Sequence, residues 1–203
     1  TAADATLHAP KEGDATTAAD VKRAVAAAAN GTAIQHLLPL ILHTATRSHE
    51  ARSAMWRDFD FEERLWRIPA TKAGITHVLP LSQGALRVLA EVPRTDSEYV
   101  FPGHYSSRSK VPHMGPPQAA VEIVADKSGV ADWSLHDLRR TVRTRLPEVG
   151  ATPDIAERVL GHVLGGMRRV YDRHDYVPQM MQALEAWGQE LDRILRPSVL
   201  KPG

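Results

Sequence analysis

The sequence predicts a mainly α-helical fold carrying a small antiparallel β-sheet, an α+β arrangement, on three observations. Apolar residues recur at spacings of three and four, most clearly after Tyr176, where Val177, Met181, Leu184, Trp187, Leu191 and Ile194 form one stripe. Residues that cap or stop helices stand at the edges of such stretches. In the middle of the chain the pattern changes to two short runs, Leu65-Trp66-Arg67-Ile68-Pro69 and His77-Val78-Leu79-Pro80-Leu81, that alternate or carry β-branched residues.

Taken in order, residues 1–16 are rich in Ala, Thr and Asp and read as a linker or frayed N-terminus. Thr17 or Asp20 caps a helix over Val21–Ala29, which Asn30-Gly31 stops. Ala33–His43 is apolar and helical, with Pro39 kinking it or marking its first turn. Glu50–Met55 is another short helix, and Trp56–Phe61 a candidate third strand. The turn Lys72-Ala73-Gly74 joins the two clear strands, and Ser82 caps a helix over Gln83–Glu91. Pro102–Pro117 is a loop rich in Pro, Gly, Ser and His; helices follow at Pro117–Ser128, His136–Val149 and Pro153–Leu160. The amphipathic helix over 177–195 docks on its own domain or packs on a neighbouring protomer, and 196–203 is a tail. This makes one domain over 17–195.

At 203 residues and 43% hydrophobic, the chain can bury a real core, and with only 5% aromatics that core is built from Leu, Val, Ile and Ala. The lack of cysteine excludes disulfides and thiolate metal sites and fits a reducing cytoplasm. No apolar run approaches the roughly 20 residues that cross a bilayer, and no signal peptide is visible. The start at Thr1 reads as a processed product or an excised fragment. Net charge is only +1, but it is unevenly spread. Lys11 faces Asp4, Glu12, Asp14 and Asp20 near the start, whereas Arg139, Arg140, Arg143 and Arg145 face Asp137 alone. That basic cluster suits phosphate binding or an arginine-rich solvated helix face.

Within this frame lies an ordered set of reactive residue types. Arg47 and Glu50 stand in Thr44-Ala45-Thr46-Arg47-Ser48-His49-Glu50, and Lys72 at the hairpin tip. His136 and Arg139 stand in His136-Asp137-Leu138-Arg139, and His162 in Leu160-Gly161-His162. Tyr171 follows His162 by nine residues. Singly, each has an ordinary reading: Arg47 on the surface, Glu50 at a helix N-terminus, Lys72 solubilising a turn, His162 a capping or satisfied buried histidine. On one helix His136 and Arg139, three apart, can share a face and meet one phosphate. Arginine can take the place of a metal ion there, because its planar fork binds two phosphate oxygens and stays protonated. Ten histidines invite a metalloenzyme reading, but there is no His-Glu-x-x-His and they do not cluster at ligand spacing.

Jointly, this ordered set resembles the catalytic domain of tyrosine recombinases, the phage-type and genomic-island integrases, over roughly residues 33–195. The resemblance implies that fold and a DNA strand transferase that works without metal or cofactor through a 3′-phosphotyrosyl link. It implies Tyr171 as nucleophile, with Tyr176 as its rival, and Lys72 as general acid for the leaving 5′-oxygen. Arg47 and Arg139 would clamp the phosphate, His136 would accept or shuttle the tyrosine proton, and His162 would donate a hydrogen bond to the phosphate. Glu50 would orient its neighbours, and Arg140 and Arg143 would contact the DNA backbone. The partner implied is double-stranded attachment-site DNA in a bacterial cytoplasm, held by four protomers; the isolated chain would be a monomer. Upstream arm- and core-binding domains are absent, so weak, unspecific DNA binding is expected. A type IB topoisomerase-like relaxer and a non-catalytic integrase remnant are the rivals. Two departures stand out. Ala45 replaces the family's glycine, which matters if the turn needs positive φ, and Pro147 should kink or end its helix.

Overall fold

The first helix, α1 (Ala18–Ala28), starts at a reciprocal cap. The Thr17 hydroxyl accepts from the Asp20 N–H at 3.0 Å, and the Asp20 carboxylate accepts from the Thr17 N–H at 2.9 Å. Both residues offered as alternative caps are therefore used, and the helix begins three residues earlier than the sequence suggests. The structure, a computed structural model, describes residues 17–29, 32–69, 76–103, 112–131, 133–162 and 176–196. The N-terminal linker, the Asn30-Gly31 stop and all of the 196–203 tail but Arg196 lie outside the described residues.

Helix α2 (Ile34–Thr44) is the centre of the fold. Ile34, Leu37, Leu38, Leu40, Ile41 and Leu42 are all but inaccessible, so its apolar surface runs around the helix rather than along one stripe. Pro39 lies inside it, beyond the first turn. Helix α3 (Ser48–Arg52) follows, starting two residues before the expected Glu50. The sheet has three antiparallel strands in the order β1 (Phe59–Asp60), β2 (Leu65–Ile68), β3 (His77–Pro80). Its register pairs Phe59 with Trp66 and Ile68 with His77. The candidate third strand is thus mostly a 3₁₀ turn, Trp56–Asp58, with two strand residues after it. Phe59 stacks on Trp66 with ring centroids 4.8 Å apart, closing this end of the core.

Helix α4 (Gln83–Glu91) has the Ser82 cap expected of it, the Ser82 hydroxyl accepting from the Ala85 N–H at 3.2 Å. The Pro102–Pro117 stretch is not all loop: Phe101 and Met114 share a 2.7 Å backbone bond, and Pro102 bridges to His113. Helices α5 (Gln118–Ser128), α6 (Leu135–Arg145) and α7 (Pro153–Val159) come next. Helix α6 stops at Arg145 and tightens into a 3₁₀ turn over Leu146–Val149, because Pro147 has no N–H to continue the ladder.

The last helix, α8 (Val177–Leu195), lies on its own domain. Trp187 is fully buried and its Nε1 donates to the Leu42 carbonyl at the end of α2, 2.6 Å away. Glu185 pairs with Arg64 and accepts from the N–H of Gln83, and Arg87 meets Asp192 at 2.5 Å. The buried stripe differs from the expected one at its start: Met180 is buried, whereas Val177 and Met181 are only partly so. No described helix is long and apolar enough to cross a membrane.

Where α2, α4 and α8 meet, His43 is buried against two glycines. A Cβ on Gly84 would lie 2.2 Å from its ring, and one on Gly188 3.6 Å from its Nδ1. Burial pushes the His43 pKa down to about 4 from 6.5, with Asp192 and Glu185 opposing and Arg87 assisting. The ring is neutral in the fold while the unfolded chain binds a proton below 6.5, so stability is lost as pH falls from 6.5 toward about 4. The loss is on the order of 3 kcal/mol. Urea unfolding at steps across that window should show it, and His43→Leu should flatten the slope. Gly84→Ala should cost about 1–3 kcal/mol at neutral pH, because the methyl has no room beside the ring.

Candidate active site

The site is assembled from three helix ends. The first is the stop of α2. Ala45 takes a left-handed conformation, φ 53 and ψ 22, with its N–H bonded to the Ile41 carbonyl at 2.8 Å. The turn does need positive φ, and here an alanine supplies it, fully buried. Two residues on, Arg47 caps α3. The Glu50 carboxylate accepts from both the Arg47 N–H and its Nη1, each at 2.7 Å, so Glu50 fixes the backbone and the side chain of the same arginine.

The second is the start of α6. Asp137 reaches back to accept from the Ser134 N–H at 2.8 Å and its hydroxyl at 2.7 Å. This sets the rotation of the helix. Arg139 turns inward and is buried, while His136, three residues earlier, is exposed. The Arg139 guanidinium donates to the Ala45 carbonyl at 2.5 Å and the Leu160 carbonyl at 2.7 Å. Burial, then the nearby charge of Arg47, pushes the Arg139 pKa down to about 10, with Glu50 and Glu157 opposing. It stays protonated at neutral pH.

The third is the stop of α7. The Gly161 N–H bonds to the Arg158 carbonyl at 2.9 Å and the His162 N–H to the Glu157 carbonyl at 3.0 Å. These are the two bonds of a Schellman stop, with Gly161 at the left-handed position, φ 63. Glycine is needed twice over, because a Cβ there would also lie 2.7 Å from the His77 ring. The ring of His77 donates from Nε2 to the Arg158 carbonyl at 3.0 Å, so β3 and α7 are locked together beside the site. Burial is the main cause that pushes the His77 pKa down. The stop delivers His162 to Arg139, whose Nη2 is 3.1 Å from His162 Nε2. Glu157 closes the other side, its Oε2 2.5 Å from His162 Nδ1 and its Oε1 2.7 Å from Arg143 Nη2. The hydrogen bond from His162 is the first cause that holds the Glu157 carboxyl below its usual range.

Of the residues singled out in sequence, Arg47, Glu50, Arg139 and His162 converge here, and Arg143 stands behind them on Glu157. Arg140 is exposed, 3.6 Å from Asp137. Lys72 and Tyr171 lie outside the described residues. Tyr176, the rival nucleophile, opens α8 with its ring 3.5 Å under the Arg158 guanidinium. Sequence reasoning missed Glu157, His77 and the two carbonyls that hold Arg139. Glu157 had a signal: a helix stopped by Leu-Gly-His brings the residue five before the histidine against it. Among the described residues no group of three or more His, Cys, Asp or Glu could hold a metal ion.

A family model described as the phage integrase family matches residues 15–177. Prophage integrase IntA of Escherichia coli (strain K12) is 34% identical over 152 residues, covering 72% of this chain and 36% of that protein. Prophage integrase IntZ of the same organism is 31% identical over 175 residues, covering 82% and 42%. The chain thus spans about two fifths of the length of these curated relatives. Among solved structures, the integrase from mycobacterium phage Brujita matches with a TM-score of 0.64 at 19% identity, over 89% of this chain and 62% of that one. XerA recombinase matches with a TM-score of 0.59 at 18% identity, over 87% and 61%. These two likenesses establish a shared fold.

Two arginines of one site should separate in stability. Arg139→Ala strands two backbone carbonyls and should cost about 2–4 kcal/mol, lowering Tm by roughly 5–15 °C. Arg47→Ala breaks a half-exposed ion pair worth about 1 kcal/mol or less, so its Tm should barely move. Ala45→Gly should change stability by less than about 1 kcal/mol, since relief of a left-handed alanine offsets one lost buried methyl. Ala45→Val should cost more than about 2 kcal/mol. Thermal unfolding of the four variants checks all of this.

Proposed function

Because the chain belongs to the phage integrase family, we propose that it is the catalytic region, over 17–195, of a site-specific DNA recombinase. It breaks and rejoins strands of a mobile element's attachment sites in the bacterial cytoplasm. The observation that carries this reading is the convergence of Arg47, Arg139 and His162 from three separate helix ends. Arg139 is bonded to the Ala45 carbonyl, two residues before Arg47, and stands against His162, so two guanidinium-bearing residues and a ring are gathered where an anion could bridge them.

In the proposed reaction the Tyr171 oxygen attacks the scissile phosphorus as the bond to the 5′-oxygen breaks, leaving a 3′-phosphotyrosyl link. His136 accepts the tyrosine proton, its exposed place at the start of α6 leaving it accessible to an incoming group. Lys72 gives a proton to the departing 5′-oxygen. Arg47 and Arg139 neutralise the charge that builds on the non-bridging oxygens, and His162 donates to one of them. Glu50 holds Arg47 in place for this task, and Arg140 and Arg143 lie along the same helix toward the backbone of the duplex. A 5′-hydroxyl from a second strand reverses the step, so the phosphodiester energy is kept and neither metal nor cofactor is consumed. Integrative exchange takes four copies on two duplexes; the free chain is a monomer.

The test needs no known attachment site. Supercoiled plasmid is incubated in EDTA with the wild type, Tyr171→Phe and Tyr176→Phe, and relaxation and SDS-resistant protein–DNA adducts are scored. Both should be lost with Tyr171→Phe and kept with Tyr176→Phe. Loss only with Tyr176→Phe moves the nucleophile five residues on. Loss of wild-type activity to EDTA would overturn the metal-free reaction, and a protein that forms no adducts even as the full-length gene product would overturn the enzyme.

A further inference from the structure

The stop of α7 brings Glu157 and His162 together twice, once through the backbone and once through their side chains. In such a stop the first and last residues of the turn touch, and the contact is ordinarily apolar. Here it is a carboxylate against an imidazole. Arg143 occupies the other oxygen of that carboxylate with both Nε, at 2.9 Å, and Nη2, at 2.7 Å. The carboxylate is therefore fixed in rotation, and Oε2 is left for the ring.

The neighbours assign the ring atoms. A carboxylate can only accept, so the proton of a neutral His162 sits on Nδ1. A guanidinium can only donate, so Nε2 presents its lone pair to Arg139. Free histidine favours the opposite form, with the proton on Nε2. Glu157 thus acts against the ring's own preference. It is also a quarter-exposed side chain, so its removal leaves no closed cavity.

We propose that Glu157 is a positioning residue for His162: it keeps the proton on Nδ1 and turns Nε2 into the arginine site, where Arg139 covers it until a phosphate arrives. A phosphate oxygen that takes Arg139 from Nε2 meets a nitrogen that must carry a proton to donate, and Nε2 takes that proton from solvent water as Arg139 leaves it. The charge of the doubly protonated ring then faces the Glu157 carboxylate across Nδ1, as the orienting acid of a catalytic triad faces its histidine. The proposal rests on His162 acting at the phosphate, and its own test is independent of DNA cleavage.

The whole chain is labelled with ¹⁵N-histidine, and long-range proton–nitrogen spectra are recorded in mildly alkaline solution; the signal lost in His162→Ala identifies the ring. In the wild type the proton should be on Nδ1. In Glu157→Ala it should move to Nε2 or to a mixture. In Glu157→Gln, with Arg143 holding the amide oxygen, the amide NH₂ faces the ring and Nδ1 should again lose its proton. A wild-type ring protonated on Nε2, or an Nδ1 proton that survives in both variants, would overturn the proposal. A second arm uses the plasmid adduct assay. Glu157→Ala should lower adduct formation about 10-fold and add nothing to His162→Ala. Losses that simply multiply would place Glu157 elsewhere and refute the assignment. A proton that moves as expected in a chain that forms no adduct supports the positioning and counts against the recombinase reading, so the two fail separately.

Discussion

Arg139 carries a positive charge into a nearly closed interior, and the fold answers with the backbone carbonyls of Ala45 and Leu160. Those carbonyls end two different helices. A charge placed there without partners would be too costly to keep, so the stop of α2, the start of α6 and the stop of α7 must all be in register. The arginine is thus a structural tie that joins three helix ends. Its donors rest on those two carbonyls and on the His162 ring.

The frame that makes this register possible is α2, buried on nearly every side, with α8 laid across it. Trp187 supplies both apolar area and a hydrogen bond to the last turn of α2. The same helix reaches the start of α4 through Glu185 and Gln83. The end of α2, where Ala45 takes up its left-handed turn, is therefore held by side chains from the far end of the sequence. His43 sits in the same joint as a buried neutral ring between two glycines, with the charges of Asp192, Glu185 and Arg87 around it.

The arginines of α6 divide by helix rotation. Arg139 and Arg145 turn inward, the latter onto Glu148, and Arg143 lies across Glu157. A helix that looks like a solvated basic face in sequence is in fact partly an internal network. The net charge of the chain says little about this, because the charges that matter are paired within a few ångströms.

Much of the fold was legible because local rules suffice for it. Ser82 before an apolar stripe, Pro147 after α6 and the alternation around Trp66 and Leu79 each act within a few residues, and the elements stand where those signals put them. Met180 in place of Met181, and the 3₁₀ turn over Trp56–Asp58, went the other way because packing partners chose the face and the bend. For the site, the order Arg47, Glu50, Arg139, His162 was readable as a motif of residue types, and the Leu-Gly-His box as a helix stop. What sequence alone determined is which residues carry charge and protons, and where the chain must turn. Only the tertiary structure decided that Arg139 is spent on two carbonyls, that Glu157 stands behind His162 and that His77 braces Gly161. Those contacts join residues far apart in the chain, and their geometry depends on how helices rotate as they pack.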